Sequence, residues 1–158
     1  VLVFRYTDYW FNTQVPSGVD DEGETIYYQQ DFKYGAHSTA HVFEAQIGYD
    51  FGPLAVNWYT NFAGADGVKG NGKRAYSSYL ALSAPFQLGG LDWMVDLGIV
   101  PWETSFYNGY TSGFCVSDIS LGATKETKVT DSFSVPAFAK VSVNPRTEGA
   151  HFTFGLSF

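Results

Sequence analysis

The stretch Ala150-His151-Phe152-Thr153-Phe154-Gly155-Leu156-Ser157-Phe158 alternates without interruption between two kinds of side chain. Phe152, Phe154, Leu156 and Phe158 occupy every second position, and the residues between them are small or polar. Successive side chains of a β-strand point to opposite faces of the sheet. The pattern therefore predicts a strand with one apolar and one polar face.

The apolar face of this strand needs a cover, because an exposed edge strand that carries Phe and Leu invites aggregation. Hydrocarbon supplies that cover in a membrane β-barrel, whose strands of about 9–11 residues turn apolar side chains toward lipid. The stretch resembles the carboxyl-terminal signal of Gram-negative outer-membrane barrels, which ends in Phe with apolar residues at alternate positions. The resemblance implies that the barrel-assembly machinery reads Phe152, Phe154, Leu156 and Phe158.

Composition agrees with a membrane barrel and argues against other classes of protein. The 158 residues include 14 Phe, 11 Tyr, 4 Trp and 17 Gly, and no apolar run approaches the roughly 18 residues of a transmembrane helix. The net charge of -7 argues against nucleic acid as a partner. Cys115 is the single cysteine and cannot form an intrachain disulfide. The length suits one domain, 1–158.

Seven further segments repeat the alternation at the regular spacing of an antiparallel β-meander. They are Leu2–Asn12, Ala40–Phe51, Leu54–Phe62, Arg74–Gln87, Leu91–Pro101, Phe114–Thr124 and Ser132–Val143. Asp8 interrupts the first alternation and predicts a β-bulge. Pro85 is expected near the end of its strand, because proline cannot donate a ladder hydrogen bond. The sequence thus predicts an all-β fold, an antiparallel up-and-down transmembrane β-barrel with eight strands in this chain.

The connections between these segments alternate in length. Short turns are predicted at 52–53, 88–90 and 125–131, and longer links at 13–39, 63–73, 102–113 and 144–149. Short turns face the periplasm and longer loops face outward in bacterial barrels, which predicts a location in the bacterial outer membrane. Because Val1 already lies in an apparent strand, we expect a signal sequence and further strands before it.

The polar face distinguishes this prediction from a soluble ligand-carrying barrel of the lipocalin kind, whose apolar face points inward. Here the face opposite the apolar one is polar along most strands. The side chains expected to face the lumen are Arg5, Glu44, Gln46, Asp50, Asn57, Asp96, Asp118 and Lys140. Either Arg5 and Lys140 neutralise part of a packed polar interior, or water fills a mildly cation-preferring channel.

Four motifs are similar to those of uncharacterised outer-membrane proteins, the TorF-type porin family. They are Thr7-Asp8-Tyr9-Trp10-Phe11-Asn12, Tyr34-Gly35-Ala36-His37-Ser38-Thr39-Ala40-His41-Val42-Phe43-Glu44-Ala45, Gly89-Gly90-Leu91-Asp92-Trp93 and Val100-Pro101-Trp102. The resemblance covers most of the chain from Thr7 onward. It implies about four more strands before the equivalent of Val1. A barrel of about twelve strands has room for a narrow passage, whereas side chains fill the interior of an eight-stranded barrel.

Two clusters offer other chemistry. His37, Ser38, His41 and Glu44 include the groups of a hydrolase triad, but Ser38 and Glu44 share a strand parity that the histidines do not. A polar cluster and a metal site are the alternative interpretations of these four residues.

The acidic loop 20–24 offers oxygen ligands without the ordered spacing of a calcium loop. We therefore expect no catalytic residue, cofactor or metal.

The predicted function is an outer-membrane β-barrel, in contact with outer-membrane lipid, that passes or binds small polar solutes as a porin and performs no covalent chemistry. An alternative is a structural or accessory barrel whose extracellular loops bind a partner outer-membrane protein. A lipid-modifying enzyme of the outer leaflet is a third hypothesis and requires Ser, His and carboxylate side chains to converge.

Overall fold

The computed structural model describes residues 1–10, 15–19, 21–28, 34–35, 39–107, 113–130 and 133–157. Within these residues the regular structure consists of strands. They are β1 (Leu2–Trp10), β2 (Val15–Val19), β3 (Thr25–Tyr28), β4 (His41–Asp50), β5 (Ala55–Gly64), β6 (Ser78–Leu88), β7 (Leu91–Val100), β8 (Cys115–Thr130), β9 (Phe133–Asn144) and β10 (Gly149–Leu156). The described part contains no helix that is both long and apolar enough to cross a membrane.

One antiparallel sheet contains eight of the strands, in the order β1-β4-β5-β6-β7-β8-β9-β10. This up-and-down sheet confirms the eight predicted strands and their order. The strands β2 and β3 form a separate hairpin inside the predicted link 13–39. Among the described residues β1 and β10 do not pair with each other, so the sheet is open and the predicted closed barrel is not seen.

Two strand boundaries differ from the prediction by more than two residues. The strand β6 begins at Ser78 rather than at Arg74, because Arg74 instead forms an isolated bridge with Val68 in the preceding loop. The strand β8 continues to Thr130, so the predicted turn 125–131 is largely strand. Its last residues pair with β9 and are mostly polar, and they therefore lack the alternation from which the other strands are predicted.

The predicted bulge at Asp8 is wrong. The pairing of β1 with β4 runs without a shift from Leu2 opposite Tyr49 to Trp10 opposite His41. Asp8 keeps the strand in phase because its carboxylate meets the His41 ring, 2.9 Å away, and so has a polar partner on an otherwise apolar face. The register shift lies instead between Phe43 and Glu44, in the pairing of β4 with β5.

The links between strands define two ends of the sheet. The turn end carries the short links 51–54 and 89–90, and the loop end carries the links 65–77, 101–114 and 145–148. The predicted alternation of short and long links therefore holds along β4 to β8. The predicted last link 144–149 is observed as 145–148, which is no longer than the short link 51–54.

The two faces of the sheet differ in chemistry and in burial. Ile47 on β4 is 47% exposed, whereas Glu44 and Gln46 on the same strand are 6% and 8% exposed. Directly opposite residues on neighbouring strands share a face, which extends this difference across the sheet. The polar face carries Thr7, Glu44, Gln46, Asn57, Tyr59, Tyr79, Ser83, Asp96, Ser120, Lys140 and Thr153, and the apolar face carries Phe4, Ile47, Trp58, Leu82, Leu97, Val95, Leu121, Val141 and Phe152.

The tightest packing lies at the loop end. Val42, Ala75 and Val100 are buried hydrophobic residues there. The links 65–77 and 101–107 are joined by hydrogen bonds, among them Gly70 N–H to Glu103 Oε1 at 2.6 Å and Trp102 Nε1–H to the Ala75 carbonyl at 2.9 Å. These two links therefore form an ordered cap over the loop end, to which we refer as the loop cap.

Candidate functional site

Asp96 on β7 holds a polar network that crosses four strands. Its Oδ1 accepts a hydrogen bond from Ser83 Oγ on β6 at 2.7 Å, and its Oδ2 accepts hydrogen bonds from Ser120 Oγ on β8 at 3.0 Å and Lys140 Nζ on β9 at 2.9 Å. Ser83 and Ser120 are the direct cross-strand partners of Asp96. Protein groups thus satisfy this carboxylate, and of the two cations named in the packed-interior alternative, Lys140 forms an ion pair with it.

Gly122 lies beside the stem of Lys140. Lys140 is opposite Gly122 on β8, and a Cβ at position 122 would lie 3.7 Å from Lys140 Cβ and 3.8 Å from its Cγ. These are ordinary van der Waals distances, so the ion pair of Lys140 with Asp96 does not require glycine at this position.

Gln46 and Asn57 form a second, smaller cluster on the polar face. Gln46 Nε2 donates to Asn57 Oδ1 at 2.9 Å and to Tyr59 Oη at 3.2 Å. Gln46 Oε1 has no hydrogen-bond partner among the described residues. Arg5 is opposite Gln46, and its positive charge acts on Glu44 without an ion pair between them in the described part of the chain.

The remaining predicted lumen residues, Asp50 and Asp118, have different positions. Asp50 is exposed at the turn end, where its Oδ1 accepts the Gly52 N–H at 2.7 Å, so it closes a turn. The positive φ of 95° at Gly52 suits glycine in that turn. Asp118 is opposite Gly98 on β7 and has no ion pair among the described residues.

The two described members of the considered hydrolase triad, His41 and Glu44, do not lie together. His41 Nδ1 lies 2.9 Å from Asp8 Oδ1, and the His41 ring packs 4.3 Å from the Tyr34 ring, centroid to centroid. Glu44 lies on the polar face, where Oε1 accepts a hydrogen bond from Tyr9 Oη. His41 and Glu44 therefore occupy opposite faces, as their parity predicts, and His37 and Ser38 lie outside the described residues.

The acidic loop and the predicted assembly signal are only partly described. Residues 21–24 form an exposed turn between β2 and β3, whereas position 20 lies outside the described residues. No group of three or more His, Cys, Asp and Glu side chains in the described ranges could hold a metal ion. Phe152, Phe154 and Leu156 are exposed on β10, and Phe158 lies outside the described residues.

A recess of about 250 Å³ on the polar face, near the loop end, is a feature that the sequence analysis missed. It is lined by Tyr9, Glu44, Tyr59, Tyr79, Ala81 and Tyr107, and we call it the tyrosine recess. Ring centroids are 6.4 Å apart for Tyr59 and Tyr79 and 5.6 Å apart for Tyr79 and Tyr107. Burial, reinforced by the negative charge of Glu44, raises the pKa of Tyr107, so this phenol stays neutral at physiological pH.

Part of this recess follows from strand parity and part does not. Glu44 is flanked on β1 and β5 by residues of the same face, and Tyr59 is directly opposite Tyr79. Tyr107 follows β7 outside the strands, and no local pattern in the sequence indicates that it lies at the recess.

Comparison of the chain with known protein families, curated proteins and solved structures finds no match. The similarity to TorF-type porins stays a prediction from the four motifs.

Proposed function

We propose that this chain forms part or all of the wall of a β-barrel in a bacterial outer membrane, and that the barrel passes or binds small polar solutes. The observation that carries the proposal is the burial of the two faces of the sheet: polar side chains are buried and apolar side chains are exposed, the reverse of a water-soluble domain. Val95, Leu121 and Val141 form a row across three strands and are 40%, 44% and 48% exposed. Large exposed apolar patches mark membrane or protein contacts, and lipid would cover this one.

In a membrane, the edge strands of the sheet need hydrogen-bond partners. Lipid offers no hydrogen bonds to free backbone N–H and C=O groups, so only closed barrels of strands cross the hydrocarbon. The open edges of β1 and β10 therefore need partner strands. The proposal includes such strands, contributed either by further residues of the protein or by a second copy.

The charges of the polar face support passage of cations rather than anions. Lys140 forms an ion pair with Asp96 and the charge of Arg5 acts on Glu44 from beyond ion-pair distance, whereas Asp118 has no ion pair among the described residues. Carboxylates that line a low-dielectric passage attract cations and repel anions.

Spin labelling tests the orientation of the sheet. In a Cys115→Ser background, labels at Val56, Leu97 and Ile119 are expected to contact lipid, because these residues lie on the apolar face. Labels at the adjacent positions Asn57, Asp96 and Ser120 serve as controls and are expected to be protected from lipid-soluble quenchers. Equal lipid accessibility of the two sets in vesicles would contradict the membrane proposal.

Planar-bilayer recording tests solute passage. We expect small, cation-preferring conductances from the reconstituted protein, and a reduced preference when Glu44→Gln and Asp118→Asn are combined. Asp50→Asn is the matched control, because Asp50 closes a turn at the end of the sheet and should leave selectivity unchanged. Anion preference of the unmodified protein would contradict the charge argument.

The loop cap favours a second candidate function, an accessory barrel that binds a partner protein. Hydrogen bonds between the two links, such as Val68 N–H to Ser105 Oγ at 2.9 Å, give this end a preorganised surface. Preorganised surfaces bind partners with a smaller entropic cost. Silent recordings from a protein that shows the expected lipid contacts would favour this function over a channel.

A further inference from the structure

We propose that the tyrosine recess binds a small organic cation of the quaternary ammonium class, with Glu44 as its counter-charge and tyrosine rings as its walls. The inference names a solute class for the proposed barrel. It depends only on the polar face near the loop end, where side chains of β1, β4, β5 and β6 meet Tyr107. Its test can therefore fail while the membrane proposal stands.

The charge argument begins with Glu44. This side chain is more than nine-tenths buried and accepts one hydrogen bond, from Tyr9 Oη at 3.0 Å. Among the described residues no lysine, arginine or histidine forms an ion pair with it, and the positive charge of Arg5 acts on it only from beyond ion-pair distance. A buried carboxylate without a paired charge is costly, so a bound cation would supply the missing partner.

The walls of the recess favour an organic ammonium over a metal ion. A cation within about 6 Å of a tyrosine ring centroid is attracted by the negative face of the ring. Because neighbouring ring centroids are 5.6 and 6.4 Å apart, an ammonium group seated against Tyr79 is also near Tyr59 and Tyr107. A calcium ion needs about 6–8 oxygen ligands, whereas Glu44 is the one carboxylate of this lining.

The size of the recess limits the ligand. Pockets for drug-sized molecules measure about 300–1,000 Å³, and this recess of about 250 Å³ lies below that range. A methylated ammonium head group with a short chain is compatible with that volume. Choline is therefore a suitable probe of the site.

Gly98 positions the central ring of the recess. Tyr79 lies over Gly98 on the adjacent strand, and a Cβ at position 98 would overlap the Tyr79 hydroxyl. Gly98→Ala should displace the Tyr79 ring without removing any lining side chain. This substitution therefore tests whether the position of the Tyr79 ring matters, because the ring itself is kept.

Calorimetric titration of the refolded full chain in detergent micelles tests the proposal, with choline and its neutral isostere 3,3-dimethylbutan-1-ol as probes. We expect choline to bind and the neutral alcohol to bind at least about tenfold more weakly, because only choline carries the charge that the rings and Glu44 attract. Glu44→Gln and Tyr79→Leu should each weaken choline binding about tenfold, and Gly98→Ala should also weaken it.

Tyr49→Leu is the matched control, because Tyr49 lies on the apolar face near the turn end and should leave choline binding unchanged. Equal affinity for the two probes, or unchanged choline binding by Glu44→Gln, would overturn the proposal. Absence of choline binding by folded wild-type protein would do the same. The spin-label result decides the membrane proposal separately.

Discussion

Replacing Leu121 by arginine is expected to block insertion of the chain into phospholipid vesicles. Leu121 lies within β8 on the apolar face, between Val95 and Val141 on the neighbouring strands. An arginine on the lipid face of a barrel costs about 2–4 kcal/mol near the bilayer midplane. That cost is a large share of the stability of an ordinary domain, which is about 5–15 kcal/mol. The folded, heat-modifiable fraction on gel electrophoresis measures the effect.

Thr124→Arg provides the control for this substitution. Thr124 lies on the same strand but on the polar face, directly opposite Asp92. The new guanidinium would therefore meet a carboxylate and water rather than lipid, and insertion should proceed. If the Leu121 variant inserts as well as the Thr124 variant, the apolar face does not contact hydrocarbon and the membrane proposal is wrong.

Strand alternation explains why most of the sheet could be predicted from the sequence. Each of the eight strands has one apolar and one polar face over most of its length, and this contrast has a period of two residues. The hairpin of β2 and β3 escaped prediction because its strands are short and Val15–Val19 contains Pro16 and Gly18. Residues 125–130 escaped because a mostly polar strand has no such contrast.

Closure of the barrel depends on information that alternation does not contain. The pattern assigns faces to β1 and β10 but does not state which strand, if any, pairs with their outer edges. The number and stagger of strands determine closure. An open sheet and a closed barrel therefore share the same local pattern.

For the candidate sites, strand parity predicts which face a residue occupies but not which residues are in contact. Parity places Asp96 and Lys140 on one face, but only the register brings Lys140 within 2.9 Å of Asp96. A slip of one residue would move a whole strand to the other face. The pairing of His41 with Asp8 likewise depends on the register of β1 with β4, which the predicted bulge would have changed.

Asp96→Asn is expected to destabilise the folded chain by about 1.5–3 kcal/mol, because hydrogen bonds to a charged group contribute about that much. The variant weakens the bonds from Ser83, Ser120 and Lys140 together. Since both members of the ion pair with Lys140 remain partly exposed, that pair alone contributes less than about 1 kcal/mol. Urea titration in vesicles measures the change in the free energy of unfolding.

Asp92→Asn is the matched control for the loss of a carboxylate from the same strand and face. Asp92 is exposed and accepts one side-chain hydrogen bond, from Gln87 Nε2 at 2.9 Å, so its loss should cost under about 0.5 kcal/mol. Equal effects of the two substitutions would mean that the network of Asp96 contributes no more than a surface hydrogen bond.

Lys140→Met completes a double-mutant cycle with Asp96→Asn, and contacting residues of this kind couple by about 0.5–3 kcal/mol. The same three variants can also be compared by their ion selectivity in planar-bilayer recordings. Asp96→Asn leaves Lys140 without its counter-charge, so ion selectivity should shift toward anions. The double variant removes both charges and should restore the original preference, because Glu44 and Asp118 are untouched. A shift that persists in the double variant would show that Lys140 does not face the passage.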